Sequence, residues 1–237
     1  MTKAGNTNII IKIASSTLAL AFIVFFVIEM QYSLASQYAR SSDRYVSLWN
    51  KQSKAPSEKQ WQQALSQAQQ ANQLNPNNPV NLRRLGLIYE WGEKIDTLEE
   101  STKLTTIRIA QNYYKQVLTL RSTSGWDWYR LFKTKTKLNQ IDKEAETALT
   151  TAIALDTNND DLLLYLVYYG LSNPQNPTIT KTVNDITLHL LKNAPRKHNT
   201  LYKHYQWHQQ QTKLCQMAKQ HNITNPALAQ CYSTNRL

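Results

Sequence analysis

The sequence predicts an all-α protein in which an N-terminal transmembrane helix precedes a short helical-repeat domain closed by a helical cap. Three observations support this prediction. The 237 residues include only five glycines, and the seven prolines fall at the apparent ends of helices. A long uncharged apolar run lies near the N-terminus. Small residues then recur at helical spacing further along the chain.

The apolar run is the first element. Residues 13–28 contain no charged side chain, and apolar flanks extend the run to about the 20 residues that span a bilayer. We therefore predict a tail over residues 1–8 and one transmembrane helix over residues 9–34. A cleaved signal peptide is the alternative, because Lys3 and Lys12 give a basic start and Ser33-Leu34-Ala35 resembles a cleavage site.

The two cysteines, rather than the flanking charges, indicate the orientation of this helix. Basic residues on its two sides nearly balance, so the positive-inside rule decides little. Cys215 and Cys231 lie close together in the sequence, which suits a small disulfide in an oxidising compartment. We therefore predict a single-pass protein of the bacterial inner membrane with a periplasmic domain. Buried free thiols are the alternative.

The next segment, residues 35–56, is predicted to connect the membrane helix to the domain. Ser57 and Glu58 after Pro56 are typical of a helix start, and the helix is expected to end near Leu74. Prolines in residues 75–79 stop it, and a second helix is expected from about residue 80 to residue 91.

These two helices carry a repeat pattern. Small residues at helical spacing allow two antiparallel helices to pack closely, and a proline and a Leu-x2-Leu-Gly-x2-Tyr motif follow them. This order resembles the tetratricopeptide repeat, whose helix pairs build docking surfaces. The residues are Ala64, Ala68, Ala71, Pro76, Leu82, Leu85, Gly86 and Tyr89.

Leucines at the ends of three segments extend the pattern. Leu74, Leu120 and Leu155 are separated by 46 and 35 residues, and the shorter step is close to the 34-residue tetratricopeptide period. The longer step predicts an acidic insertion of about twelve residues before Ala110. We therefore predict about three repeats over residues 57–177.

The last segment, residues 178–237, is predicted to be a basic helical cap. It has eight basic residues and one acid, Asp185. Anionic lipid or an acidic polysaccharide is the expected partner of this charge, with a solvated basic face as the alternative. Nucleic acid is not predicted, since no recognition motif accompanies the charge. The basic residues are Lys181, Lys192, Arg196, Lys197, Lys203, Lys213, Lys219 and Arg236.

Aromatic residues are the candidate docking groups, because large rings can anchor a partner protein or stack on sugars. Packing within the repeats is the alternative role. The candidates are Tyr89, Trp91, Tyr113, Trp126 and Trp128.

The sequence predicts no enzyme, no cofactor and no metal site, because it lacks the glycine-rich phosphate and nucleotide motifs. His204 and His208 have the spacing of metal ligands on a helix, but no third ligand is evident. Glu90 could pair with Glu93 or Asp96 for acid–base chemistry, although solvated helix faces commonly carry such carboxylates.

Several short motifs resemble a group of bacterial membrane-anchored repeat proteins encoded with exopolysaccharide genes, the VpsP-like group. The resemblance covers most of the chain and implies a non-catalytic accessory subunit of polysaccharide assembly or export. The motifs are Ser47-Leu48-Trp49, the Trp61 helix, the run from Leu85 to Trp91, Tyr113-Tyr114, Leu120-Arg121-Ser122 and Trp126-Asp127-Trp128.

The leading functional hypothesis is therefore a membrane-tethered scaffold that holds envelope proteins together. The alternative is an accessory subunit of an integral-membrane enzyme complex, of the redox or cytochrome-maturation type. A third hypothesis is a tethered glycan enzyme that depends on Glu90.

Overall fold

The computed structural model describes the backbone of residues 3–232 and the side chains of residues 17–232. This part of the chain contains ten α-helices, two short 3-10 helices and no strand, which confirms the predicted all-α fold. Contacts divide the chain into two compact units, one ending at Thr97 and the other beginning at Leu98. The division falls within the predicted repeat domain, between two helices and next to the predicted acidic insertion.

Unit 1 contains three helices: α1 (Lys3–Gln52), α2 (Glu58–Leu74) and α3 (Pro79–Gly92). From residue 17 onward, α1 is long and apolar enough to cross a membrane. Its large apolar side chains are exposed over more than three turns, as expected of a helix surrounded by lipid. They are Leu18, Leu20, Phe22, Ile23, Val24, Phe25, Phe26, Val27, Ile28 and Met30.

The prediction of a connecting segment over residues 35–56 differs from the structure. α1 continues without a break to Gln52, about 30 Å beyond Tyr32 at 1.5 Å per residue. The reason is a stripe of small and apolar residues that packs this half of α1 on α2. The buried members are Ala35, Ala39, Ser42 and Trp49.

The opposing stripe on α2 is formed by the alanines that suggested close helix packing. Ala64, Ala68 and Ala71 have no exposed surface. The first two helices therefore meet over small residues, which brings their backbones close together.

An ion pair adds a polar connection between α1 and α3. The Arg84 guanidinium donates to both carboxylate oxygens of Asp43, over 2.6 and 2.9 Å. It also donates to the Asn81 side chain over 2.7 Å, and that amide donates in turn to the Ala71 carbonyl on α2. One buried arginine thus joins all three helices of unit 1.

Unit 2 contains the remaining seven α-helices around a continuous apolar core. Two 3-10 helices, Pro195–Lys197 and Pro226–Cys231, complete the unit. The α-helices are α4 (Glu100–Leu120), α5 (Gly125–Lys137), α6 (Lys143–Leu155), α7 (Asp160–Leu171), α8 (Pro177–Asn193), α9 (His198–Trp207) and α10 (Gln211–Gln220).

Within unit 2, α5 pairs with α6 and α7 pairs with α8, giving two consecutive helix hairpins. Equivalent helices begin 35 and 34 residues apart, at Gly125 and Asp160 and at Lys143 and Pro177, which matches the tetratricopeptide period. Asp142, Asn159 and Asn176 cap α6, α7 and α8 by accepting hydrogen bonds from backbone N–H groups.

The second hairpin changes one predicted boundary. The cap was expected to begin at residue 178, but α8 packs against α7 as a repeat helix. Gly170 on α7 makes this pairing close, since a Cβ atom there would lie 2.3 Å from Cγ2 of Val183. The helices that follow the repeats are therefore α9 and α10.

A disulfide between Cys215 and Cys231 joins α10 to the last 3-10 helix, with a Cα–Cα distance of 4.9 Å. Cys231 is buried, so the bridge holds the end of the described chain against the core.

We expect reduction of this disulfide to destabilise the end of unit 2 by up to about 3 kcal/mol, because the bridge closes a loop of 16 residues. Hydrogen exchange over residues 211–232, measured with and without reductant, tests this. A Cys215→Ala/Cys231→Ala variant is the control and should not respond to reductant. Identical exchange of the wild type under both conditions would contradict the prediction.

Candidate functional site

The two candidate docking residues of unit 1 have different surroundings. Tyr89 is partly exposed and meets Trp61 edge-on, with ring centroids 6.3 Å apart. Trp91 is 8% exposed and lies 5.5 Å from the Trp49 ring, while the Lys94 ammonium lies 4.0 Å from its ring centroid. Trp91 is therefore a packing residue of unit 1, and Tyr89 keeps some accessible surface.

The other three candidates lie on unit 2. Tyr113 on α4 is partly exposed. Trp128 on α5 is also partly exposed, and its indole N–H donates to the Ser122 carbonyl over 2.8 Å, which fixes the turn before the helix. Trp126, two residues earlier on the same helix, belongs to a larger group of rings.

This group, here called the aromatic cluster, consists of Trp126 and Tyr129 on α5 and Tyr165, Tyr168 and Tyr169 on α7. Trp126 lies 5.5 Å from Tyr129 and 5.9 Å from Tyr165, both edge-on. Tyr129 lies 6.1 Å from Tyr169, which contacts Tyr168 at 5.0 Å. Neighbouring centroids are thus within the range of favourable aromatic pairs.

Exposure differs along the aromatic cluster. Tyr129 is almost fully buried and anchors the cluster in the core, whereas Tyr165 is 47% exposed. Trp126, Tyr168 and Tyr169 are partly exposed. The result is a patch of rings with one buried side and one accessible side.

A cation lies next to the aromatic cluster. The Lys133 ammonium is 5.6 Å from the Tyr169 centroid, a distance at which a ring face attracts a cation. The Arg130 guanidinium lies 5.8 Å from the centroid of Tyr114 on α4, a buried ring outside the cluster. The patch therefore combines apolar ring surface with the positive charge of Lys133.

The predicted histidine pair borders the aromatic cluster. His204 on α9 and His208, the residue that follows α9, contact the Tyr168 ring edge-on, with centroid distances of 5.1 and 5.0 Å. Burial lowers the pKa of both imidazoles, and the charge of His208 lowers that of His204 further. Within the described residues, no group of three or more His, Cys, Asp or Glu side chains is placed to hold a metal ion.

The carboxylates considered for acid–base chemistry lie on and just after α3. Glu90 is 6% exposed, Glu93 is partly exposed, and Asp96 is exposed in the following turn. The three carboxylates therefore differ in their access to solvent, from buried Glu90 to exposed Asp96.

The basic residues predicted for the cap are distributed over α8, α9, α10 and the segments between them. Lys197 pairs with Asp161 on α7 at 2.5 Å, and burial lowers the pKa of Lys213. Arg236 lies outside the described residues.

Sequence reasoning missed the α7 tyrosines. Their spacing, Tyr165, Tyr168 and Tyr169, places them on one helix face and was a usable signal. The apolar residues between them made α7 look uniformly buried, which concealed that face.

Together, these features define the class of protein: an all-α chain with one apolar helix long enough to cross a membrane and two repeat hairpins with an aromatic patch. Comparison with family models and with curated proteins finds no match for this chain. The resemblance to the VpsP-like group therefore stays a prediction.

Proposed function

We propose that this protein is a non-catalytic, membrane-anchored scaffold for an envelope assembly that makes or exports exopolysaccharide. The observation that carries the proposal is the aromatic cluster, a partly exposed patch of rings held by two repeat hairpins. Rings of this kind dominate the binding energy of protein interfaces, because they bury a large area with few rotatable bonds. The resemblance in sequence motifs supplies the exopolysaccharide context.

The continuous α1 helix supports the tethered form of this proposal. Its exposed apolar half leads directly into the half that packs in unit 1, so the anchor is an extension of the folded domain. Retention of the helix, rather than cleavage after Ala35, fits this continuity. The disulfide between Cys215 and Cys231 supports a periplasmic domain, because such bonds persist in oxidising compartments.

A substitution in the aromatic cluster tests the docking role. Because about half of the Tyr165 side chain is exposed, Tyr165→Ala should leave unit 2 folded and weaken copurification of the envelope partners by about tenfold or more. The measurement is quantitative mass spectrometry after affinity purification of the full chain in mild detergent. Leu120→Ala is the matched control, since Leu120 is a similarly exposed apolar residue of α4 outside the cluster.

The identity of the copurified proteins tests the process. Sugar-handling proteins are expected, and redox or cytochrome-maturation subunits would favour the alternative complex. Deletion of the gene should change the amount or the chain length of cell-bound polysaccharide. Unchanged polysaccharide would refute the exopolysaccharide role.

A further inference from the structure

A second surface of unit 2 is a groove between α6, α7 and α8 with a volume of about 370 Å³. It shares no residue with the aromatic cluster. Leu163 of α7 forms one wall, together with Ile153 of α6 and Ile186 of α8. A volume of this size can accept one or two apolar side chains.

The three threonines that line the groove have their hydroxyls occupied, so the groove surface is more apolar than its residue types indicate. The hydroxyl of Thr150 donates to a carbonyl of its own helix, and that of Thr157, in the turn after α6, donates to a carbonyl of α6, over 3.0 Å in each case. The hydroxyl of Thr182 donates in the same way over 2.9 Å. Because these donors are used within the helices, the threonine methyl groups are the main surface that remains for a bound group.

One carboxylate interrupts this apolar lining. Asp185 of α8 is exposed, and it makes no ion pair within the described part of the chain. The nearest cation along α8 is Lys181, one turn earlier, which is likewise without an ion pair there. His189, one turn later, places its Nδ1 atom 3.3 Å from the Asn193 amide.

The charge of the groove is opposite to that of the chain. The protein carries a net charge of +11, and Asp185 is the sole acid from residue 178 onward. Among residues 17–232, Asp185 is also the one Asp, Glu, Lys or Arg side chain that lines the groove. A cationic group of a partner can therefore pair with it there.

We propose that the groove docks an amphipathic helix of a partner protein, whose apolar side chains enter it while a neighbouring lysine or arginine pairs with Asp185. The apolar walls supply the contact area, and the single carboxylate selects the charge and orientation of the incoming helix. This interaction does not depend on the aromatic cluster, so the two surfaces can be tested separately.

The probe is a short synthetic model helix with leucines on one face and lysines beside them. Its twin carries glutamate at every lysine position. The full chain is placed in phosphatidylcholine nanodiscs, and binding to empty nanodiscs is subtracted. Isoleucine methyl NMR then locates the contact, because Ile153 and Ile186 line the groove while Ile88 and Ile95 belong to unit 1.

The lysine helix is expected to shift the methyl signals of Ile153 and Ile186 but not those of unit 1, and the glutamate twin should bind far more weakly. Asp185→Lys should weaken binding by about tenfold or more, because like charges then face each other. Asp96→Lys is the matched control: it changes the net charge equally at an exposed position of unit 1 and should leave the affinity unchanged.

Ala154→Gln provides a second variant that tests the cavity rather than the charge. Ala154 lines the groove and is exposed, so a longer side chain should obstruct docking without unfolding α6. The proposal is overturned if the lysine and glutamate helices bind equally, or if Asp185→Lys leaves the affinity for the lysine helix unchanged. It is also overturned if the methyl signals of Ile153 and Ile186 do not shift at the highest soluble peptide concentration.

Discussion

Replacing Trp49 by alanine is expected to cost unit 1 roughly 3–5 kcal/mol of its free energy of unfolding. The Trp49 side chain is 2% exposed and is among the largest fully buried groups of the structure. Its ring lies 5.5 Å from Trp91 on α3 and 6.1 Å from Tyr45 on its own helix. The substitution removes an indole from between α1 and α3, and the surrounding helices can close only part of the cavity.

Hydrogen exchange of the full chain in detergent measures this effect, since peptides from α2 and α3 report the opening of unit 1. Leu48→Ala is the matched control. Leu48 is the preceding residue of the same helix but is 42% exposed, so its loss should change stability by no more than about 0.5 kcal/mol. Equal protection in Trp49→Ala and Leu48→Ala would show that α1 contributes little to the fold of unit 1.

Most helix ends could be predicted from the sequence because local chemistry determines them. Leu74, Leu120 and Leu155, aligned for their repeat spacing, are each the last residue of a helix. Ser57, predicted at a helix start, caps α2 through a reciprocal pair of hydrogen bonds with Gln60. Caps and prolines act within a few residues, so single-sequence reasoning can detect them.

The second half of α1 could not be predicted in the same way. Ala35, Ala39 and Ser42 have the spacing of a buried helical stripe, but small residues suit a solvated linker as well as a close helix contact. Whether they are buried depends on the alanines of α2, which follow more than twenty residues later. The pairing of two small-residue stripes is therefore a tertiary property.

The aromatic cluster could be predicted from the sequence only in part. Trp126 was identified as a docking residue, whereas Tyr165, Tyr168 and Tyr169 were not. All sides of α7 are apolar enough to be core, so the face that stays accessible depends on where α5, α8 and α9 pack. Only the arrangement of these helices shows that Tyr165 is exposed.

A buried lysine is the basis of the second large effect. Lys135 on α5 is 2% exposed, and its ammonium donates to both oxygens of Asp142, over 2.8 and 2.7 Å. It also pairs with Glu144 at 2.7 Å, and Lys115 on α4 pairs with the same carboxylate at 2.8 Å. This network connects α4, α5 and α6. Burial by itself would lower the pKa of Lys135, but its hydrogen bonds to the two carboxylates raise it.

Removing both carboxylate charges, by Asp142→Asn with Glu144→Gln, is expected to destabilise unit 2 by roughly 3–5 kcal/mol, because it leaves a buried ammonium without a counter-charge. Lys135→Met should cost much less. Asp142 and Glu144 are 57% and 42% exposed, so water can solvate them once the lysine is gone, and methionine keeps the apolar stem packed. Asparagine at residue 142 can still cap α6. The difference in stability between the double variant and Lys135→Met therefore does not include the loss of an N-cap.

The pH dependence of stability distinguishes charge pairing from packing. The hydrogen bond from Lys135 lowers the pKa of Asp142, and those from Lys115 and Lys135 outweigh burial to lower that of Glu144. A lowered folded-state pKa gives stability that is complete above the unfolded value, about 4, and is lost as pH falls through the folded value. Lys135, with a raised pKa, retains its contribution until pH rises above about 10.4.

The thermal unfolding temperature of unit 2 should therefore vary little between about pH 4 and about pH 10.4, and it should fall in acid. The double carboxylate variant should begin less stable and lose less stability on acidification, because two of the responsible groups are absent. Lys135→Met should also show a smaller acid effect, since Asp142 then loses its charged partner and Glu144 keeps only Lys115. If Lys135→Met instead destabilised unit 2 as much as the double variant, the ion pairs themselves would be the source of the stabilisation, because methionine keeps the apolar stem packed and removes only the charge.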